Sequence, residues 1–335
     1  MYVNMNVEHK QQHGGTEAQS MVNDVVLQPK VKFSLKQQEV KSMTNYGITV
    51  LQMKVANVLA FIVTLFFNYI SSSGLISPYG IGTISRKHPT SITPAGGAFA
   101  IWGYIYCLQL CFIIYQFLWP KETESVILHD VGFWYISTCF CNSLWIIIFV
   151  QGTTVAMFLS TVTIFCLLFS ICMIYVRTGC WRRTRTNILE NIVLDIHFSM
   201  YGGWVTVASI VNTSISISTV WDAAPEIANI CGVLMLIVAL LLNIFIVLYR
   251  KDPVWGFVLC WATYYISVKQ KANASIHTSA LVISILIGCI SAAVGTFIVI
   301  KLLRGRKSTQ DEESEDASNK SCHLLVEETV VAEKF

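Results

Sequence analysis

Residues 227–249 read IANICGVLMLIVALLLNIFIVLY. The stretch carries no charge, and its apolar residues would fall on every side of a helix, so it does not suit the half-buried helix of a water-soluble domain. About 20 residues at 1.5 Å rise cross the hydrocarbon core of a bilayer, and this stretch is long enough. Runs of similar character recur at 54–73, 95–118, 131–150, 154–176, 191–213 and 277–301. A shorter, aromatic-rich run at 254–269 (Trp255, Phe257, Trp261, Tyr264, Tyr265) could be tilted, re-entrant or surface-lying. The whole chain is 54% hydrophobic and 13% charged, and that charged share is about half the average for a soluble domain. The expected fold class is therefore all-α: a polytopic membrane helix bundle of about eight transmembrane helices.

Alternation of the spans assigns each Lys and Arg to a side. With the N-terminus cytoplasmic, only Arg86, Lys87, Lys269 and Lys271 fall outside. The rest fall inside, including Lys54, Lys121, Arg177, Arg182, Arg183, Arg185, Arg250, Lys251 and the Lys and Arg of the C-terminal segment. This positive-inside bias places both termini in the cytoplasm. Two glycosylation sequons, at Asn212 and Asn273, then sit at outer helix ends and favour the plasma membrane or an endomembrane. Residues 1–53 are polar, without the apolar core of a signal peptide, and are expected to be a disordered cytoplasmic segment. Residues 304–335 turn acidic at Asp311, Glu312, Glu313, Glu315 and Asp316 and are expected to be a disordered cytoplasmic tail.

The net charge of +3 is small, and the basic residues edge the apolar runs instead of forming a patch, which argues against a nucleic-acid partner. Most cysteines lie inside apolar runs without metal-ligand spacing and read as small apolar fillers. Cys180, beside Trp181 and the arginines, reads equally as a palmitoylation site or an unmodified thiol. No P-loop, zinc motif or nucleophile elbow is present, so no enzymatic activity is expected.

Three runs carry aromatic and amide residues at helical spacing. In TPAGGAFAIWGYIY (93–106), Phe99, Trp102 and Tyr106 share a face with Gln109. In CNSLW (141–145), Asn142 and Trp145 stand one turn apart. In YGGWVTVASIVN (201–212), Tyr201, Trp204, Ala208 and Asn212 form one stripe. Counted along alternating helices, the three tryptophans lie at similar depth, roughly 8 to 14 Å below the outer boundary. Aromatics at one depth, each beside an amide or hydroxyl, are what a pocket for a flat, largely apolar ligand requires.

At these residues the chain resembles the TspO/MBR family of tryptophan-rich sensory proteins. The resemblance lies in the order Pro94, Phe99, Trp102, Tyr106, then Asn142 and Trp145, then Tyr201, Trp204, Ala208 and Asn212, and covers residues 54–213. It implies a five-helix membrane bundle over 54–213, with 214–303 as three further spans in an enlarged branch of the family. It also implies a pocket for porphyrins or sterol-like lipids lined by those nine residues from Phe99 to Asn212. No cofactor is required, and porphyrin or haem is among the candidate ligands. The family's best-known animal member implies the mitochondrial outer membrane as the alternative location.

Other features have plainer readings. Trp119, Trp181, Trp221 and Trp255 lie near helix ends, where tryptophan collects at bilayer interfaces in any membrane protein. Asn243 reads as interhelical hydrogen-bond glue. Asp195 and His197 are an ionisable pair at membrane depth, but residues two apart do not face each other, and Asp195 is expected to meet Arg182 or Arg185. The string from Val247 to Lys251 fits a weak sterol-recognition pattern. Gly288, Ala292, Ala293 and Gly295 suggest close packing within the chain or in a homodimer. The expected partners are membrane lipids and a hydrophobic small molecule. The competing functions are a small-solute transporter or channel, and a receptor or scaffold acting through the acidic tail.

Overall fold

The computed structural model describes residues 29–77, 79–118, 124–180, 187–221 and 223–332, with side chains given outside 29–37, 39, 40, 44 and 305–332. Contacts divide the chain into two units, Met1–Leu51 and Gln52–Phe335. The helices are α1 (Pro29–Ser72), α2 (Ile81–Lys87) and α3 (Ile101–Tyr115), the last entered through a tight 3-10 turn at Gly96–Ala100. Next come α4 (Gly132–Phe149) and α6 (His197–Ser218), entered through π-helical turns at Val126–Val131 and Asn191–Ile196, with α5 (Thr154–Arg177) between them. The last are α7 (Pro225–Ile244), which ends in a π-helical turn at Phe245–Tyr249, α8 (Pro253–Lys269) and α9 (Ala274–Ala332). Among the described residues the fold is an all-α polytopic bundle.

The starts are chemically specified. Pro225 and Pro253 occupy first-turn positions, where the missing N–H costs nothing. Thr153 and Asp252 accept hydrogen bonds from the first free amides of α5 and α8.

Six helical segments among the described residues are long and apolar enough to cross a membrane: Lys41–Ser72, Gly96–Tyr115, Val126–Phe149, Thr154–Arg177, Pro225–Tyr249 and Ala274–Arg304. The two other expected spans form α6 and α8 but fall outside that measure. α8 is only 17 residues long, and α6 spends Ser199, Thr206, Ser209, Asn212 and Ser216 on buried positions. Both are the enclosed helices of the bundle: α6 packs along α5 and α8, and α8 packs along α6 and α9. A helix shielded by its neighbours has no need of a lipid-compatible surface.

Glycines set how close these two helices come. A Cβ on Gly202 would stand 2.5 Å from the Trp255 ring, and one on Gly203 would stand 3.1 Å from Val258. Trp255, expected at an interface, is instead 3% exposed and packs edge-on against Tyr175 at 5.4 Å. Gly288 and Gly295 of α9 face Cys260 and Pro253 of α8, so these small residues serve packing within the chain.

Buried polar groups tie the far ends of the helices. Asp252 is fully buried and accepts from Tyr175 Oη at 2.9 Å and Ser199 Oγ at 2.5 Å. Lys54 turns inward and pairs with Glu124 at 2.6 Å. Cys180 is completely buried against Thr178, which removes it as an accessible acylation site. Asn243 donates to Ala239 of its own helix and so does not act as interhelical glue.

Where the structure describes them, residues 29–53 and 304–332 are helical. Each continues a membrane helix, so the unfavourable nucleation step is already covered, and the tail's Glu, Lys and Ala are good helix formers. Residues 1–28, Trp119, Lys121 and the stretch holding Trp181, Arg182, Arg183 and Arg185 lie outside the described residues.

Gly202→Val is expected to lower the stability of the detergent-solubilised protein by about 1–3 kcal/mol through overpacking. The measurement is the thermal unfolding midpoint. Gly103→Val, where an added Cβ meets nothing within 4 Å, should leave it unchanged.

Candidate functional site

Three helices bring the tryptophan stripes together. Trp102 of α3 stacks on Trp145 of α4 at 6.2 Å and meets Trp204 of α6 edge-on, also at 6.2 Å. Phe99, in the turn that opens α3, lies edge-on to Trp204 at 6.0 Å. Such centroid separations lie within the range of attractive aromatic pairs. Trp102 also touches Tyr106 at 5.6 Å and Tyr201 at 6.1 Å, so one indole joins every side of the cluster.

Asn212 fixes the second indole. It accepts from Trp145 Nε1 at 3.2 Å, and its amide nitrogen donates to Ser160 Oγ and Thr161 Oγ1 at 3.0 and 2.6 Å. Asn212 is 2% exposed. With its amide committed on both sides, it is no acceptor for a glycan in this fold. The other sequon residue, Asn273, is half-buried and donates to Asn229 at 2.6 Å.

A second layer lies one to two turns farther along the same helices. Tyr106 Oη donates to Asn68 Oδ1 of α1 at 3.0 Å and lies 3.4 Å from Asn142 Oδ1. Asn142 Nδ2 donates to Tyr201 Oη at 3.2 Å. His197 stacks parallel to Tyr201 at 6.2 Å. Its Nδ1 meets the Val193 carbonyl at 3.2 Å, so Nδ1 carries the proton. His197 thus bonds back along its own helix instead of pairing with Asp195.

A cavity of about 40 Å³ opens beside the tryptophans. Of the residues singled out from the sequence, Phe99, Trp102, Trp145, Trp204, Ala208 and Asn212 line it, while Tyr106, Asn142 and Tyr201 form the hydrogen-bonded layer next to it. Charged side chains are absent from its described lining, and Ser85 and Asn212 are its polar members beside the indoles. Space of this size holds a few waters and is far below the roughly 300–1,000 Å³ of a drug-sized ligand site.

Sequence reasoning missed several wall residues. Val207, Val211 and Ile215 complete the α6 face of Trp204, Ala208 and Asn212, and Phe149 lies one turn beyond Trp145; helical spacing alone would have found them. Ile81 and Ser85 come from α2, a short helix in a polar connection that gave no such signal.

Fold and site together define a multi-span helical membrane protein with a tryptophan-walled cavity in its interior. The chain belongs to the TSPO-like family: the family model described as TSPO-like protein matches residues 54–294. This match passes the limit of 213 read from the sequence and takes in α7, α8 and the first part of α9. Those helices are part of the family unit, and α8 supplies the Trp255 and Val258 that lock α6. Neither the curated proteins nor the solved structures yielded a match.

Removing the Asn212 amide leaves the Trp145 N–H, Ser160 and Thr161 without their buried partner. Asn212→Leu is expected to cost about 1–3 kcal/mol and to alter tryptophan emission. An unchanged melting temperature and spectrum would show that the amide does not hold Trp145 in place.

Proposed function

We propose that this membrane protein binds or carries a flat, largely apolar molecule between Phe99, Trp102, Trp145 and Trp204, acting as a binding protein and not as an enzyme. One observation carries the reading: three helices separated in sequence turn their tryptophans toward one another around a cavity, instead of toward lipid. Sterol-like and tetrapyrrole compounds have the required shape. A cavity of only about 40 Å³ implies that binding displaces an indole. Trp102 is the mobile element in this reading, because it touches both other tryptophans and is the least buried of the three. Family membership supports it independently.

The test is to titrate the purified protein with cholesterol, protoporphyrin and haem while following tryptophan fluorescence. Saturable quenching is expected with at least one compound, weakened about tenfold or more by Trp102→Ala or Trp204→Ala, since losing a buried aromatic contact is worth a kilocalorie or more. If both variants bind every compound as the wild type does, the site lies elsewhere.

The proposed topology has both termini in the cytoplasm, following the Lys and Arg distribution. The cavity then lies in the outer half of the bilayer. A C-terminal tag should stay protected from protease in sealed, right-side-out vesicles, and digestion there would reverse the orientation.

A further inference from the structure

A second cavity lies where residues 87–91 meet the end of α6 and the start of α7, lined by none of the residues that wall the tryptophan cavity. It measures about 390 Å³, within the size range of small-molecule sites, against about 40 Å³ beside the indoles. We infer that it seats the phosphate head group of a glycerophospholipid, with part of an acyl chain lying between α6 and α7. This goes beyond the ligand reading above and does not depend on it.

Three segments supply the walls. Ser214, Ile217 and Ser218 recur at helical spacing on α6, and Ala228, Cys231 and Met235 do so on α7, so each helix turns one stripe toward the space between them. The connection after α2 closes the third side and is tied down at several points. Ser91 Oγ donates to Asn229 Oδ1 of α7 at 3.1 Å. Gly232 makes room for that approach, because a Cβ there would stand 2.9 Å from Ser91 Cβ. Gln270 Nε2 donates to the Thr90 carbonyl at 3.1 Å, and His88 Nε2 meets the Gly152 carbonyl at 3.1 Å. The space is therefore held open by the fold, and no ring has to move to fill it.

Its charge is one-sided. The described lining contains Lys87 and no acidic residue, and Lys87 makes no ion pair among the described residues. The ammonium stands 3.0 Å from the centroid of the Tyr79 ring, which orients the cation without supplying a counter-charge. Ser214 also lines the space, and its hydroxyl has no hydrogen-bond partner among the described residues. An ammonium and a free hydroxyl are matched by a group that only accepts, and a phosphate bears both the charge and the oxygens.

The rest of the cavity calls for hydrocarbon. Trp221, just past α6, is 49% exposed, as suits a residue at the membrane interface. From there the α7 stripe runs inward through Cys231 to Met235, roughly 15 Å along the helix from its start. A free anion would leave that part unfilled, whereas a phospholipid fills both. In the proposed topology the lipid comes from the outer leaflet.

The experiment counts lipid retained by the full-length protein in native mass spectrometry after purification in a maltoside detergent. The probes are dioleoylphosphatidylcholine, dioleoylglycerol, which lacks the phosphate, and inorganic phosphate. The phospholipid is expected to be retained about tenfold better than dioleoylglycerol, as one charge-assisted hydrogen bond allows, and excess inorganic phosphate should not displace it. Lys87→Met should lower its retention about tenfold, and Ala228→Trp, which fills the space, should do the same. Arg86→Met removes the neighbouring cation, which lies outside the lining, and should leave retention unchanged. Equal retention of the two lipids, or equal loss in Lys87→Met and Arg86→Met, would overturn the seat. Displacement by inorganic phosphate would identify a free anion as the occupant and overturn the lipid. If Ala228→Trp does not fold, the exposed pair Lys87 and Arg86 decides alone. None of these variants touches the tryptophan cluster, so their outcome and that of the ligand titration above are read separately.

Discussion

The contact between α6 and α8 at Gly202 and Gly203 is the constraint on which the rest of this structure depends. Helices in lipid gain little from hiding apolar surface, because acyl chains are as apolar as leucine; they associate through close packing and hydrogen bonds. Two glycines let the Trp255 ring and Val258 lie where side chains would otherwise stand. That contact fixes the rotation of α6 about its axis. Once it is fixed, the opposite stripe of Tyr201, Trp204, Ala208 and Asn212 must face α3, α4 and α5, and the indoles meet.

Hydrogen bonds reinforce the same arrangement. Asn212 ties α6 to α4 and α5, and Asn142 ties α4 to α3 and α6. Each such bond contributes about 0.6 kcal/mol in a membrane, so none alone defines the fold. Their value is orientational: an amide pointing elsewhere would leave buried groups unpaired. Packing at the glycines and bonding at the amides thus select the same rotation.

Much of this was legible in the sequence because membrane helices leave a strong record. Apolar length marked the helices, and a stripe of Trp, Tyr and Asn at helical spacing marked which faces would meet. The reading fell short where tertiary context overrode local pattern. Trp255 stands near a helix end like any interfacial tryptophan, and only the glycine pair on another helix explains its burial. α2 has no periodicity long enough to read, yet it contributes Ile81 and Ser85 to the cavity wall. The small size of the cavity depends on the rotamers of Trp102 and its neighbours, which spacing does not encode.

The unusual composition of α6 bears on how the protein is made. A segment rich in serine and threonine gains little by partitioning into acyl chains alone. The flanking α5 and α7 are strongly apolar and can be released into the bilayer by themselves. During synthesis, α6 must therefore wait in the insertion machinery, or at the bilayer surface, until a partner shields it. α5 can cover one side of it at once, but the side that packs on α8 is covered only after α8 has emerged from the ribosome, so the tryptophan cluster can be completed only after most of the polypeptide has been threaded.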